Sequence, residues 1–252
     1  MSINTDTNKY TILFAIGMVV VVGSLLAFTA SSLKPNIQEN QRMEKQQNIL
    51  YVMGINENGA NDIVFVGTDK VAGEFSKYIS KQLLINADGS ATENSEAYLI
   101  DVKKEQAKAK NGGTRLLPLF VGEKAGESFY IVPIRGKGLW DAIWGYVSLN
   151  EDMVIQGAFF DHAAETPGLG ANIKQRYFMD DFVGEQLLTA SGDFKGITVA
   201  KGNNDPKNLT KDDYEVDALA GATITGDGVS AMIKSDLKLY LPYFKNLKNQ
   251  LN

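Results

Sequence analysis

The chain has 252 residues, a formal net charge of −5 at pH 7 and no cysteine. The lack of cysteine excludes a thiolate-ligated iron–sulfur cluster, haem attachment through C-x-x-C-H and a C-x-x-C dithiol. Nucleic acid is not a predicted partner, because its binding calls for a basic face that this acidic composition does not favour.

The first predicted element is a membrane anchor. Segment 10–33 contains no charged residue, and a helix that rises about 1.5 Å per residue needs roughly 20 apolar residues to cross the hydrocarbon core. The apolar region of a cleaved signal peptide is shorter, about 7–15 residues, and no convincing A-x-A cleavage site follows segment 10–33. We therefore predict a short tail and an uncleaved anchor in residues 1–33.

The charges on either side of this anchor leave its orientation open. Lys9 precedes the apolar segment, whereas Lys34, Arg42 and Lys45 follow it, which mildly favours a cytoplasmic C-terminal part. Against this, a large folded domain crosses the membrane largely regardless of charge. The absence of cysteine fits either compartment.

The remaining chain is divided by composition. Residues 34–54 are rich in helix formers and predict a membrane-proximal helix or linker, with Gly54 near its end. Residues 55–252 are long enough for one soluble domain with a sizeable core. Within that domain, the polar stretch 88–113 predicts a peripheral helix and loops.

The middle of the domain predicts an antiparallel sheet. Short aromatic and β-branched runs lie at 128–134, 143–149 and 153–160. The turns between them are too short for a connecting helix, which favours antiparallel pairing. Residues 197–200 are a candidate for a further strand, and 229–247 has the apolar spacing of a helix that Pro242 should kink or end. The predicted fold class is α+β.

The most informative segment is Asp217 to Thr225, which reads D-A-L-A-G-A-T-I-T. Gly221 and Ala222 are small, so another molecule can approach the backbone closely. Thr223 follows this pair, just ahead of a helix that we expect to begin near Asp227. Unpaired N–H groups and the positive end of the helix dipole at such a position favour a phosphate.

A plain structural role is the alternative for this segment. A short Gly-Ala-Thr run at a helix start is common, with Thr223 or Thr225 serving as the N-cap. For the tripeptide alone this is the stronger interpretation. Two further motifs change the balance.

These motifs are loops of the kind that can surround a planar ligand. Glu165 to Gly170 (E-T-P-G-L-G) contains Pro167, which fixes φ, and Gly168, which permits a tight turn beneath a ring. Gly136 to Trp140 (G-K-G-L-W) lies between two predicted strands and can present its tryptophan as a stacking wall. Taken singly, an ordinary loop and a hairpin with a core tryptophan explain them equally well.

Together, in this order and after one N-terminal anchor, the three motifs resemble the FMN-binding domain family. They are most similar to the family of C subunits of Na⁺-translocating NADH:quinone oxidoreductases, and the G subunits of Rnf complexes are similar too. The resemblance implies FMN held by a phosphoester to Thr223, with Asp217 as the leading acid of the D-x-x-[ST]-G-A-[ST] signature. Ala220 departs from that signature, which has Ser or Thr at this position.

The resemblance also implies the other residues of the cofactor site. Predicted members are Leu139, Trp140, Thr166, Pro167, Gly168, Leu169, Gly170, Gly221, Ala222 and Thr225. We predict no metal site. We also expect that the protein is not catalytic on its own. His162, the only histidine, is expected to have a structural or incidental role.

The partners and location follow from the same resemblance. It implies a flavin transferase that moves FMN from FAD onto Thr223 outside the cytoplasm, and hence a soluble domain on the periplasmic side of the bacterial inner membrane. The resemblance also implies that the single helix contacts membrane lipid, and that other subunits of a complex exchange electrons with this one while NADH oxidation by quinone drives Na⁺ export. NADH itself is not expected to bind, because no G-x-G-x-x-G pattern is present.

A second class of function stays open at this point. A membrane-anchored, non-redox binding or assembly module would use D-A-L-A-G-A-T only as a helix start. Colour separates the two hypotheses, because only the first gives a yellow protein whose flavin survives denaturation.

Overall fold

The structure, a computed structural model, describes residues 7–59 and 62–251. The chain divides into two compact units, Met1–Met43 and Glu44–Asn252. The domain boundaries at 33/34 and 54/55 that we infer from composition stay predictions.

Helix α1 (Asn8–Tyr51) begins in the first unit, continues into the second and contains the predicted anchor. Its apolar stretch is long enough to cross a membrane by length and composition, and none of that stretch is buried. The helix continues through Pro35, whose missing N–H removes one i→i−4 hydrogen bond. Gly54, with φ +68°, lies just beyond its end.

The second unit is built on a six-stranded antiparallel sheet with the order β2-β1-β3-β4-β5-β6. Its strands are β1 (Ile79–Ile85), β2 (Ala91–Glu93), β3 (Leu117–Lys124), β4 (Glu127–Lys137), β5 (Ala142–Leu149) and β6 (Ile155–His162). The antiparallel sheet and the α+β class predicted from the sequence are confirmed. The last strand begins later than expected, because Met153 lies in the preceding turn with φ +59°.

The described part of the second unit adds five α-helices to α1 and a short parallel strand pair to the main sheet. The helices are α2 (Val71–Tyr78), α3 (Val102–Lys110), α4 (Arg176–Asp180), α5 (Thr223–Leu237) and α6 (Leu241–Leu251). The strands β7 (Thr198–Val199) and β8 (Glu215–Val216) pair in parallel. The strand expected at 197–200 therefore exists, but it lies outside the main sheet.

Helix α5 is shorter at its C-terminal end than the predicted helix 229–247. It ends at Leu237, and the 3₁₀ turn Lys238–Tyr240 separates it from α6, in which Pro242 is the second residue. A proline is tolerated in the first turn of a helix, where its N–H would have no partner. The structure breaks the predicted helix before Pro242, at Lys238–Tyr240, and the proline itself neither kinks nor ends α5.

Helix α5 packs unusually close to the sheet. A Cβ atom built on Gly228 would collide with the carbonyl oxygen of Lys137, and one built on Gly136 would lie 2.8 Å from Cβ of Met232. Val229 and Ile233 are fully buried in this helix. The glycines therefore let α5 lie directly on β4, close to the C-terminal end of that strand.

A buried carboxylate holds the other end of α5. Asp236 is nearly inaccessible and accepts hydrogen bonds from Nη1 of Arg115 at 2.8 Å and from the N–H of Arg135 at 2.8 Å. Nε2 of Gln106, on α3, lies 3.2 Å from the same carboxylate. Helix α5 is thus tied to both the sheet and α3.

Glu185 is a second buried carboxylate with a different environment. It is fully buried, and among the described residues neither carboxylate oxygen has a hydrogen-bond partner. Nζ of Lys211 lies 3.5 Å from Oε1. Burial raises the pKa of Glu185 from 4.5 to about 7, and the lysine only partly opposes this.

We expect Glu185→Gln to change how stability depends on pH. Because the folded state has the higher pKa, it binds this proton more tightly than the unfolded state, so the free energy of unfolding falls as pH rises from 4.5 through about 7. The variant lacks this contribution. The midpoint of thermal unfolding of the variant minus that of the parent should therefore be higher at about pH 8 than at about pH 5.

The exposed Glu93 on β2 supplies a matched control, Glu93→Gln, which should follow the parent at both pH values. An unchanged difference between Glu185→Gln and the parent across this range would contradict the assignment of this pH dependence to Glu185.

Candidate functional site

The three motif-bearing segments meet around one side chain, Glu165, which is 4% exposed. Its Oε1 accepts a hydrogen bond from the backbone N–H of Trp140 at 2.9 Å. Its Oε2 accepts one from the hydroxyl of Thr225 at 2.5 Å. The loop after β4, the loop after β6 and the first turn of α5 therefore share one carboxylate.

Trp140 has a further hydrogen bond within this arrangement. Its indole Nε1–H donates to Oγ1 of Thr166 at 3.1 Å, while 65% of the residue remains exposed. The interpretation of Trp140 as a core residue is therefore wrong. We call Trp140, Glu165, Thr166 and Thr225 the Glu165 cluster.

The carboxylate of this cluster is ionised at neutral pH. Burial acts to raise the pKa of Glu165, but hydrogen bonds from the Thr225 hydroxyl and from the N–H groups of Trp140, Leu139 and Asp141 outweigh it. The net result is a pKa below the ordinary value. This environment holds the two acceptor oxygens of Glu165 in a fixed position.

Two glycines leave room for this carboxylate. A Cβ built on Gly138 would lie 2.6 Å from Oε1 of Glu165, and one built on Gly170 would lie 2.5 Å from Oε2. The same atom on Gly170 would also lie 2.5 Å from Oγ1 of Thr225. The glycines of G-K-G-L-W and E-T-P-G-L-G thus serve close packing inside the cluster.

Helix α5 begins at Thr223, four residues earlier than the expected start at Asp227. Its N-cap is Ala222, without a side-chain capping bond, so the alternative in which Thr223 or Thr225 is the N-cap is wrong. Gly221 enters the helix with φ +66°, a conformation in which glycine carries no steric penalty. The first N–H groups of any α-helix have no partner within it.

The two threonines of the first turn have opposite environments. Thr223 is exposed, whereas Thr225 is 1% exposed and its hydroxyl donates to Glu165. Thr223 therefore presents the accessible hydroxyl of this turn.

Large apolar side chains are exposed in the segments that meet at the Glu165 cluster. They are Leu139, Trp140, Leu169 and Ile224, and we call them the apolar rim. A Cβ on Gly221 would lie 2.8 Å from Cδ2 of Leu169, so this leucine lies against the turn that leads into α5. Exposed groups of large apolar residues commonly mark binding surfaces.

The remaining predicted residues lie at the edge of this arrangement or outside it. Pro167 and Gly168 line a cleft of about 440 Å³ with His162 and Lys174. Asp217 directly follows β8, and within the described ranges no hydrogen bond joins it to the Glu165 cluster. Burial, together with the charge of Asp217, raises the pKa of Asp181.

Glu165 is the residue of this site that sequence reasoning missed, although it opens a recognised motif. Nothing in its local sequence indicates that Trp140 and Thr225 lie beside it in space. His162 has the structural role expected of it, since its Nδ1 accepts the N–H of Glu165 at 3.2 Å.

Comparison with known proteins identifies the family. Residues 138–238, which include every predicted cofactor residue, match the family described as "FMN-binding domain". The C subunit of the Na(+)-translocating NADH-quinone reductase from Pseudomonas aeruginosa is 28% identical, over 91% of each chain. The crystal structure of the protein so named from Parabacteroides distasonis has 30% identity and a TM-score of 0.71, covering 84% of this chain and 96% of that one. The chain belongs to this NqrC family.

A second crystal structure, that of Shewanella oneidensis NqrC, supports the same assignment. It is 26% identical, has a TM-score of 0.62, and the superposition covers 84% of this chain and 98% of that one. Membership in the NqrC family, which the three motifs predict, is confirmed.

We expect Gly170→Ala to destabilise the domain, because the added methyl group would meet both Glu165 and Thr225. Overpacking of this kind costs about 1 to 3 kcal/mol, which lowers the thermal midpoint by several degrees. Differential scanning calorimetry of the detergent-solubilised chain measures the effect.

Gly73→Ala is the control, because a Cβ at that helical position has no neighbour within 4 Å. It should be neutral or slightly stabilising. Equal midpoints for Gly170→Ala and Gly73→Ala would mean that the Glu165 cluster tolerates the extra volume.

Proposed function

We propose that the protein is an electron-transfer subunit that carries FMN in phosphoester linkage to Thr223. The observation that supports this most directly is the accessible Thr223 hydroxyl at the start of α5, within the region that matches the FMN-binding domain family. FMN supplies one- and two-electron chemistry when it is bound, and the residues of the chain supply its position and surroundings.

The residues around Thr223 fit a flavin phosphate. A phosphate at this hydroxyl lies at the N-terminus of the 15-residue helix α5, where unpaired N–H groups and the helix dipole favour negative charge. Gly221 and Ala222 limit the steric bulk on the approach to this point. Neither of these two residues carries a negative charge that would repel the phosphate.

The apolar rim fits the isoalloxazine ring. Trp140 combines a large exposed ring with a fixed indole N–H, and Leu169 lies beside the turn before Thr223. Aromatic and aliphatic side chains pack well against a planar conjugated ring. We assign the rim, with the loop Thr166 to Gly170, to the ring and the helix start to the phosphate.

The attachment step uses the Thr223 hydroxyl as nucleophile. Its oxygen forms a bond to the FMN-side phosphorus of FAD, the anhydride bond between the two phosphates breaks, AMP leaves and the hydroxyl proton is released. A flavin transferase catalyses this transfer in our proposal. We assign the acceptor role to Thr223 rather than to Thr225, because the Thr225 hydroxyl is buried and donates to Glu165.

We place the protein in a respiratory complex on the basis of its relatives. These are named as C subunits of the Na(+)-translocating NADH-quinone reductase. We propose that the chain relays electrons from NADH towards quinone between redox centres of the other subunits, and that the complex couples this flow to Na⁺ export. Helix α1 anchors it in the bacterial inner membrane, with the soluble domain on the periplasmic side, where the transferase acts.

We expect the chain purified from its native host to keep its flavin after denaturation and to fluoresce as a band in a denaturing gel. Thr223→Ala should abolish this band, because the nucleophile is gone, and Thr223→Ser should retain it. The corresponding mass difference is that of FMN minus one water.

The control is Thr114→Ala, an exposed threonine outside the matched region, which should leave the band unchanged. A colourless native protein would overturn the flavin proposal and favour a non-redox anchored module. A band that persists in Thr223→Ala would retain the flavin and refute its attachment to Thr223.

A further inference from the structure

Three separate chain segments depend on the carboxylate of Glu165. It links the N–H of Trp140, in the loop after β4, to the hydroxyl of Thr225, in the first turn of α5. Because Glu165 is 4% exposed and Thr225 is 1% exposed, loss of the carboxylate leaves the buried Thr225 hydroxyl without its acceptor.

The orientation of Thr223 is coupled to that of Thr225 by the geometry of α5. Successive residues in an α-helix are rotated by about 100°, so side chains two positions apart point in directions that differ by about 200°. When the Thr225 hydroxyl is held inward by Glu165, Thr223 is directed outward. The same carboxylate also fixes the backbone that carries Trp140.

The neighbouring glycines restrict what else can occupy this place. Cβ atoms on Gly138 and Gly170 would approach the Glu165 carboxylate oxygens to 2.6 and 2.5 Å, well inside van der Waals contact. The chain therefore leaves a space between these two glycines that the glutamate carboxylate fills. His162 completes the fit by accepting the Glu165 backbone N–H.

We propose that Glu165 is the positioning residue of the flavin-attachment site, which presents the Thr223 hydroxyl and the Trp140 ring to the incoming flavin in one fixed arrangement. The inference rests on the proposed function and adds a residue to it. Glu165 acts through Thr225 and Trp140, and its role requires two hydrogen-bonding atoms rather than a negative charge.

The test compares two substitutions at Glu165 in the full-length, detergent-solubilised chain. Glutamine keeps the size and can accept from Trp140 through its oxygen while its amide donates to Oγ1 of Thr225, so Glu165→Gln should incorporate FMN from FAD and a flavin transferase within about threefold of the parent rate. Glu165→Ala loses both contacts and should slow the initial rate by about tenfold or more. Intact mass followed over time gives both rates.

Ser148→Ala is a control for general destabilisation. It removes another fully buried hydrogen bond, from the Ser148 hydroxyl to the carbonyl of Val52 at 2.6 Å, at the end of β5 remote from Ala142. It should lower the thermal midpoint without slowing incorporation. If Ser148→Ala and Glu165→Ala slow FMN incorporation equally, Glu165 contributes only to the stability of the domain. That result would overturn the inference.

If Glu165→Ala does not fold, the pair Thr225→Val and Thr225→Ser tests the same link from its other end. Valine has the shape of threonine without the hydroxyl and should slow incorporation, whereas serine keeps the hydroxyl and should restore it. A parent-like rate in Thr225→Val would overturn the inference.

Hydrogen exchange separates this inference from the proposed function. In Glu165→Ala the Trp140 amide should exchange at least about tenfold faster than in the parent, with or without flavin. A parent that accepts no FMN would refute both proposals. If the parent accepts FMN and Glu165→Ala accepts it at the same rate, only the positioning role of Glu165 is refuted.

Discussion

The hydrogen bond from the Thr225 hydroxyl to the Glu165 carboxylate holds one face of the first turn of α5 inward, and Thr223 lies on the accessible side of the same turn. It is 2.5 Å long and lies where Thr225 is 1% exposed. A neutral hydroxyl that donates to a buried carboxylate forms one of the stronger protein hydrogen bonds. The two threonines of this helical turn therefore differ in environment, with Thr225 buried and hydrogen-bonded and Thr223 exposed.

The rest of the domain serves to keep that turn in place. Gly136 and Gly228 allow α5 to lie directly on β4, and the buried Asp236 ties the far end of the helix to the sheet and to α3. A helix held at both ends cannot easily move relative to the loops that follow β4 and β6. This arrangement places the candidate site on rigid elements, as precise positioning of a bound group requires.

Much of this fold is open to prediction from local sequence. The strands β4 to β6 have dense aromatic and β-branched residues, so their pattern is clear. Strand β1 (I-S-K-Q-L-L-I) escapes prediction because its polar residues interrupt the alternation, and β3 escapes it because Pro118 argues against a strand. In the structure Pro118 faces Leu84 of β1, and the pairing of β3 with β4 begins only at Phe120.

The candidate site is predictable in its motifs but not in its connections. Thr223, Trp140 and the Thr166–Gly170 loop are recognisable because glycine, proline and hydroxyl residues occur there in a distinctive order. Glu165 is not, because its contacts join residues 25 and 60 positions away along the chain. The start of α5 is misplaced by sequence reasoning because Ala222, which caps it without a side-chain hydrogen bond, carries no capping signal.

We propose that Thr223, and not Thr225, carries the flavin phosphate. The most direct measurement is fragmentation mass spectrometry of the proteolytic peptide that contains both threonines, taken from the native chain. The account predicts that the added mass of FMN minus water lies on fragments that contain Thr223 without Thr225. The same mass found only on fragments that contain Thr225 would contradict it, because the buried hydroxyl that binds Glu165 would then be the acceptor.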